Sequence, residues 1–251
     1  MGAKTCLVAQ FEGDARSILA GCPDIEQSAT TSFVASLFPD SRFRAPRATD
    51  LTHTYVSDKS VVAGRFTDLR IPVAAEVAVD CPSQLPSRFI AEDGTTLVHA
   101  MHSVADWFAF ALWKNGVLIR SLSLSPDDGV IENIGEQLDF EKPYWAGKHP
   151  AVDPEEETDG YALPFLPLEL GEAALREFFG FQLEGFVHAS LLEPERIPML
   201  CFDDPDRPSS PGRARGRGGS SGEALGCWRK RLAAEPQYRV LPVAPARRSG
   251  A

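Results

Sequence analysis

The chain has 251 residues, enough for one large domain or two small ones, and its 43% hydrophobic content with 15 Phe and 4 Trp suffices for a sizeable core. Ten Lys/Arg against five Asp/Glu in residues 203–251 give that part a net charge of +5, so the whole-chain −10 leaves −15 on residues 1–202. A body that acidic repels nucleic acid and anionic membrane surfaces, and suits small molecules, cations or basic protein partners.

The first element is "TCLVAQF" (Thr5–Phe11), an apolar run that reads as a buried strand ending at the turn-like Gly13-Asp14. "DIEQSATTSFVASLF" (Asp24–Phe38) follows as a helix. Asp24 after Pro23 is its expected N-cap, Ile25, Ala29, Phe33 and Leu37 recur at fourfold spacing, and Pro39 ends it. "SRFRA" and "THTYV" fit short strands or coil. "VVAGRF" and "RIPVAAEVAV" (Arg70–Val79) read as strands, the second starting at a sheet edge because Pro72 cannot donate to a ladder. "CPSQLPSRFIAE" reads as a short helix interrupted by Pro86.

Two apolar runs then meet at Asn115-Gly116, a pair favoured in type I′ turns because both central positions need positive φ. A hairpin over 107–125 follows, in which Trp113 faces Leu118, Ala111 faces Arg120, Ala109 faces Leu122 and Trp107 faces Leu124. Large apolar residues on both of its faces place it centrally, covered on both sides. "GVIENIG" (Gly129–Gly135) adds a strand, Lys148–Pro167 is an acidic, Pro-containing loop, and "LELGEAALREFFG" (Leu168–Gly180) is a helix with Gly180 as its C′ residue. After Phe202, "DDPDRPSSPGRARGRGGSSGE" has no apolar side chain larger than Ala or Pro, which predicts a disordered tail over 203–251 with a transient helical turn around "ALGCWRKRLAA". The expectation is a single α+β domain over residues 1–202, a mainly antiparallel sheet flanked by a few helices.

The hairpin decides the chief chemical question. Were "VHAMHSVADWFAFALW" a helix, His99, His102 and Asp106 would share one stripe suited to zinc or iron. The Asn-Gly turn instead makes Trp107–Lys114 a strand, and "TTLVHAM" reads as another, so His99 and His102 point to opposite faces. His102, Ser103 and Asp106 are left at a bend, where shaping the turn is preferred to a catalytic or metal role. Arg120, amid apolar neighbours, is expected to hold a structural carboxylate in preference to an anionic ligand. "GEQLDFEKPYW" sets Glu136, Asp139 and Glu141 near Tyr144 and Trp145, a grouping that could bind a sugar or other small ligand, with an exposed anchored loop as the preferred reading. No G-x-S-x-G elbow, P-loop, G-x-G-x-x-G, H-E-x-x-H or EF-hand pattern occurs, and "RARGRGG" follows from an Arg-rich composition, 19 Arg against 6 Lys.

Five cysteines, odd in number and never spaced C-x-x-C, fit reduced thiols in the cytoplasm. No segment reaches the ~20 apolar residues of a membrane span, and "MGAKTCLVAQFEGD" is neither a signal peptide nor a myristoylation site.

The strings H-x-M-H-S, W-F-A-F, R-S-L-S-L-S-P and P-Y-W-A-G, in that order, together with "MGAKT", "PSQLPS" and "LPFLPLELGEAALREFFGFQLEG", carry a resemblance over nearly all of residues 1–202. They resemble a family of uncharacterised bacterial proteins, common in high-GC actinobacteria, that forms a domain of unknown function. The resemblance implies kinship without an activity, and residues 203–251 depart from it as an extension. The leading expectation is a non-catalytic cytoplasmic interaction or regulatory module with a protein partner, no cofactor, no nucleic acid and no membrane; the oligomeric state stays open. The alternatives are a hydrolase or metal-dependent enzyme using the His102–Asp106 bend with Arg120, Glu136 and Glu141, and a small-ligand binding protein using the Tyr144–Trp145 loop.

Overall fold

A computed structural model describes residues 3–151, 161–185 and 188–208. Its first strand, β1 (Lys4–Phe11), has six consecutive buried residues because it lies mid-sheet with both faces covered. The other strands are β2 (Arg47–Asp50), β3 (Ser60–Arg65), β4 (Leu69–Ala74), β5 (Thr95–His102), β6 (Trp107–Lys114), β7 (Val117–Ser125), β8 (Gly129–Ile134) and β9 (Pro198–Asp203). Four helices accompany them among the described residues: α1 (Ala15–Ala20), α2 (Gln27–Leu37), α3 (Lys142–Trp145) and α4 (Pro167–Phe179). The strands form one antiparallel sheet in the order β2-β9-β3-β4-β1-β5-β6-β7-β8, so the described residues make a single α+β domain.

Cross-strand partners share a face, which fixes what each side carries. Leu97, His99 and Met101 of β5 stand beside Leu112, Phe110 and Phe108 of β6, with Arg120, Leu122 and Leu124 of β7 next in line. α4 covers this face, as the bond from His99 to Gly171 and the approach of Gly171 to Met101 and Phe108 show. A Cβ at Gly171 would lie 3.1 Å from Met101 Sδ and Phe108 Cδ2, so glycine here lets the helix sit close on the sheet without displacing those side chains. The opposite face carries Gln10 beside Arg70. Gln10 donates to the Phe89 carbonyl, Phe89 packs on Phe38, and Arg70 lies over the Phe33 ring, so α2 and the turns at 82–90 cover that side.

Several sequence expectations need correction. Asp24 does not cap a helix: α2 starts at Gln27 and Glu26 precedes it without a side-chain cap. Asp14 is the true N-cap, accepting from Ser17 N–H at the head of the unexpected α1, which is too short to show periodicity. β2 falls between the two stretches read as strand or coil. Pro72 lies inside β4, a strand paired on both sides. The β1–β4 ladder registers at Leu7↔Val73 and Gln10↔Arg70 and lapses between them, so the sheet yields there instead of ending. "CPSQLPSRF" makes two 3-10 turns, Pro82–Gln84 and Ser87–Phe89, instead of a helix.

The hairpin turns at Asn115 (φ 49) and Gly116 (φ 72) as read, with Lys114↔Val117 and Trp113↔Leu118. Beyond that the expected register is off by one. Leu112 pairs with Arg120, Ala111 with Ser121 and Phe108 with Leu124, because Ile119 is an extra residue in a β-bulge. Residues 203–208, assigned to the tail by composition, belong to the body. Asp203 ends β9 and pairs with Arg47, Asp204 accepts from Arg42 N–H at 2.8 Å, and Arg207 bonds Glu76 at 2.8 Å while lying 4.4 Å from the Phe38 ring. The disordered tail read over the rest, 209–251, and the turn at "ALGCWRKRLAA" lie outside the described residues, as do residues 152–160 of the acidic loop.

Candidate functional site

β5 presents His99 and His102 to opposite faces, as its period of two requires. His99 is fully buried. Its Nδ1 lies 2.8 Å from Thr5 Oγ1 and its Nε2 2.9 Å from the Gly171 carbonyl. A carbonyl only accepts, so Nε2 carries the proton and Nδ1 accepts from the Thr5 hydroxyl. Burial pushes the pKa down to about 4, which keeps the ring neutral and both nitrogens engaged. His102 packs edge-on to Tyr55 at 5.9 Å, and the Tyr55 ring takes Lys4 Nζ at 5.5 Å on its face.

The bend after β5 is closed by Ala105 N–H donating to the His102 carbonyl, and exposed Asp106 completes it in the left-handed region at φ 43. His99, His102 and Asp106 therefore never converge. Among the described residues no three His, Cys, Asp or Glu side chains are arranged to hold a metal ion.

The bulge at Ile119 sets Arg120 on the face that receives Glu141. Both side chains are fully buried, with Nε 2.9 Å from Oε1 and Nη2 2.6 Å from Oε2. Nη1 donates to Asn133 Oδ1 at 2.6 Å and the Ile134 carbonyl at 2.9 Å, while Leu138 N–H donates to Glu141 Oε1 at 2.8 Å. A two-pronged pair with its remaining donors and acceptors met is a structural joint between β7, β8 and the loop before α3. The structure thus supplies the carboxylate partner that Arg120 calls for.

The loop candidates disperse. Glu141 is consumed by Arg120, whereas Glu136 is exposed. Tyr144 is buried, donates to the Glu169 carbonyl at 3.1 Å and stacks on His149 at 4.2 Å. Trp145 packs edge-on to Phe165 at 4.9 Å, and its Nε1 is buried with no hydrogen-bond partner among the described residues. Glu141 and Tyr144 are thus turned into the interior, while Glu136 stays at the surface.

Two buried carboxylates escaped the sequence reading. Glu132 of β8 accepts from Ser83 Oγ at 2.6 Å, from Ser83 N–H at 2.9 Å and from Ser121 Oγ, while Ser123 accepts from Trp107 Nε1 at 3.1 Å. The serines of "SLSLS", alternating with leucines in a strand covered on both sides, are the sequence signal of this polar face. Glu172 of α4 accepts from Leu183 N–H at 2.9 Å and Glu184 N–H at 3.1 Å, and burial raises its pKa to about 7. Glu184 in turn accepts from Ala3 N–H, so one carboxylate relay ties α4, residues 183–184 and the head of β1. Nothing in "LELGEAALREFF" separates Glu172 from the exposed Glu177 beside it.

Among the described residues no helix is long and apolar enough to cross a membrane. No curated protein and no solved structure matches the chain. Residues 5–202 match the model of a family of unknown function (DUF6928), and the chain belongs to that family.

Proposed function

We propose that this protein is a non-catalytic interaction module working in the cytoplasm, with the exposed tip of the β6–β7 hairpin as its contact surface for a protein partner. The observation that carries this is the exposure of Val117 and Ile119, 63% and 41%, at the tip of a hairpin whose remaining strand residues from Trp107 to Trp113 and Arg120 to Ser125 are buried. The bulge is the local cause: Ile119 is the surplus residue, and β8 pairs with β7 only from Ser121 onward, so the ladder does not reach Val117 and Leu118, while the Gly135 backbone lies against the Ile119 carbonyl. Exposed β-branched residues beside an open strand segment are costly for a lone domain and useful as anchors for another chain.

The interior supports the same reading. Arg120 and Glu141, two of the groups that the enzyme reading would use, already hold each other. The body's acidity favours a protein with a basic rim around an apolar centre. Cys22 and Cys201 are free thiols, which supports a reducing compartment.

A photo-crosslinking residue at position 117, compared with one at exposed Ser32 on α2, tests this in the native host. One protein species should be captured at 117 and not at 32, and its capture should drop at least about tenfold when Ile119→Asp places a charge at the anchor. Equal capture at both positions, or capture indifferent to Ile119→Asp, would overturn the proposal.

A further inference from the structure

A second site lies away from the hairpin and does not depend on that reading. A cleft of about 390 Å³ opens between α1, the C-terminal end of α4 and the segment 189–196. Arg16, Arg196, Glu193 and Cys22 line it, and the half-buried Leu191 and Leu192 supply its apolar part.

The position of Arg16 is built in. Gly180 ends α4 at φ +78, and a Cβ there would lie 2.9 Å from Arg16 Cγ and 3.2 Å from its Nε, so only glycine lets the arginine stem lie flat over the helix end. The Gly180 carbonyl is already taken by Leu192 N–H at 2.8 Å. Among the described residues Arg16 has no ion pair or hydrogen bond, although its guanidinium offers five donors. Arg196 has only Glu193, at the outer limit of 4.0 Å. Glu193 lines the cleft too, so it carries two guanidinium groups against one carboxylate, a local reversal of field in a chain of net charge −10.

We infer that this cleft binds a small organic anion, with a carboxylate or phosphate head held by Arg16 and Arg196 and a short apolar body on the half-buried Leu191 and Leu192. Arginine suits such a head because its planar fork can meet two oxygens at once. The volume falls in the range of small-ligand sites, about 300–1,000 Å³. Ser190 is held in place by a 2.8 Å bond to His188 Nδ1 and adds a hydroxyl at the rim.

Cys22 provides the readout, being exposed where Cys6, Cys81 and Cys201 are buried. Its alkylation in the full chain is followed by peptide mass mapping, with anionic iodoacetate and neutral iodoacetamide as probes. The iodoacetate/iodoacetamide rate ratio should fall about three- to tenfold in Arg16→Ala/Arg196→Ala, and by an intermediate amount in Arg196→Gln alone. Hexanoate at about 10 mM should slow alkylation of the wild type but not of the double variant, and hexylammonium should slow neither. Both arginines are exposed, so melting temperatures should match the wild type and confirm folded variants. A rate ratio unchanged by the double substitution, no protection by hexanoate, or equal protection by hexanoate and hexylammonium would each overturn the site.

Discussion

His99 and Glu172 lie on opposite sides of the pH ledger. With its pKa lowered to about 4, His99 takes up its proton more readily unfolded than folded, so its contribution to stability is full above pH 6.5 and lost as pH falls toward 4. Glu172, raised to about 7, contributes fully below pH 4.5 and loses that contribution as pH rises through 7. The two effects are each on the order of 3 kcal/mol, and they oppose each other between pH 4.5 and 6.5, where the wild type should show a shallow dependence. Urea unfolding across that range should show stability falling with pH in His99→Gln and rising more steeply with pH in Glu172→Gln. If each variant keeps the wild-type slope, neither group titrates as the packing implies. The slope is the readout because both substitutions also cost hydrogen bonds. What made these two residues hard to read beforehand is that burial decides their chemistry, and burial is a tertiary property. His99 could be placed on a strand from its neighbours, but Thr5 and Gly171 lie 94 and 72 positions away. Arg120 was legible in kind, as a cation needing a carboxylate, whereas Glu141 was one of several acids within reach.

The β6–β7 hairpin shows how far an element can be read from its turn. Asn115-Gly116 specifies the turn and its two flanking pairs, and alternation specifies that both faces are buried. A bulge has no comparable sequence mark: "VLIRSLSLS" reads as well without one. The bulge nevertheless determines the interior, since Arg120 pairs with Leu112 only because Ile119 is passed over. Deleting Ile119 should therefore leave every pair from Arg120 to Ser125 in place and simply regularise the ladder, with a melting temperature within about 5 °C of the wild type. Deleting Leu122 should carry Arg120 and Ser121 to the wrong faces and leave a chain with no cooperative melt. Comparable melts for the two deletions would mean that the bulge does not set the register. Pro72 teaches the complementary lesson: a residue that reads as an edge signal is tolerated inside the sheet because the β1–β4 ladder lapses around it.

At the scale of the molecule, the composition change after Phe202 falls short of the packed residues, which run on to at least Arg207. The match to the family also stops at 202, yet the last turns of the fold lie beyond it. "DDPDRP" is polar throughout, so hydrophobic patterning cannot announce that it packs. It is held by directed bonds: Asp203 to Arg47 and Ser60, the Asp203 carbonyl to Arg44 N–H, Asp204 to Arg42 N–H, and Arg207 to Glu76 over Phe38. These join β9, the loop before β2, β3 and the turn after β4. A chain ending at Phe202 loses all of them, leaving β9 without its final ladder pair, Ser60↔Asp203, and Glu76 with Arg88 alone. A chain ending at Pro208 keeps them. At about 1 kcal/mol for each of several bonds, the 1–208 chain should melt at least about 5 °C above the 1–202 chain, measured side by side in the same buffer. The difference should shrink in Arg207→Ala, which removes the contact with Glu76 and Phe38 together. Equal melting of the two truncated chains would place the boundary at Phe202, as composition alone suggests, and would make the 203–208 bonds energetically idle.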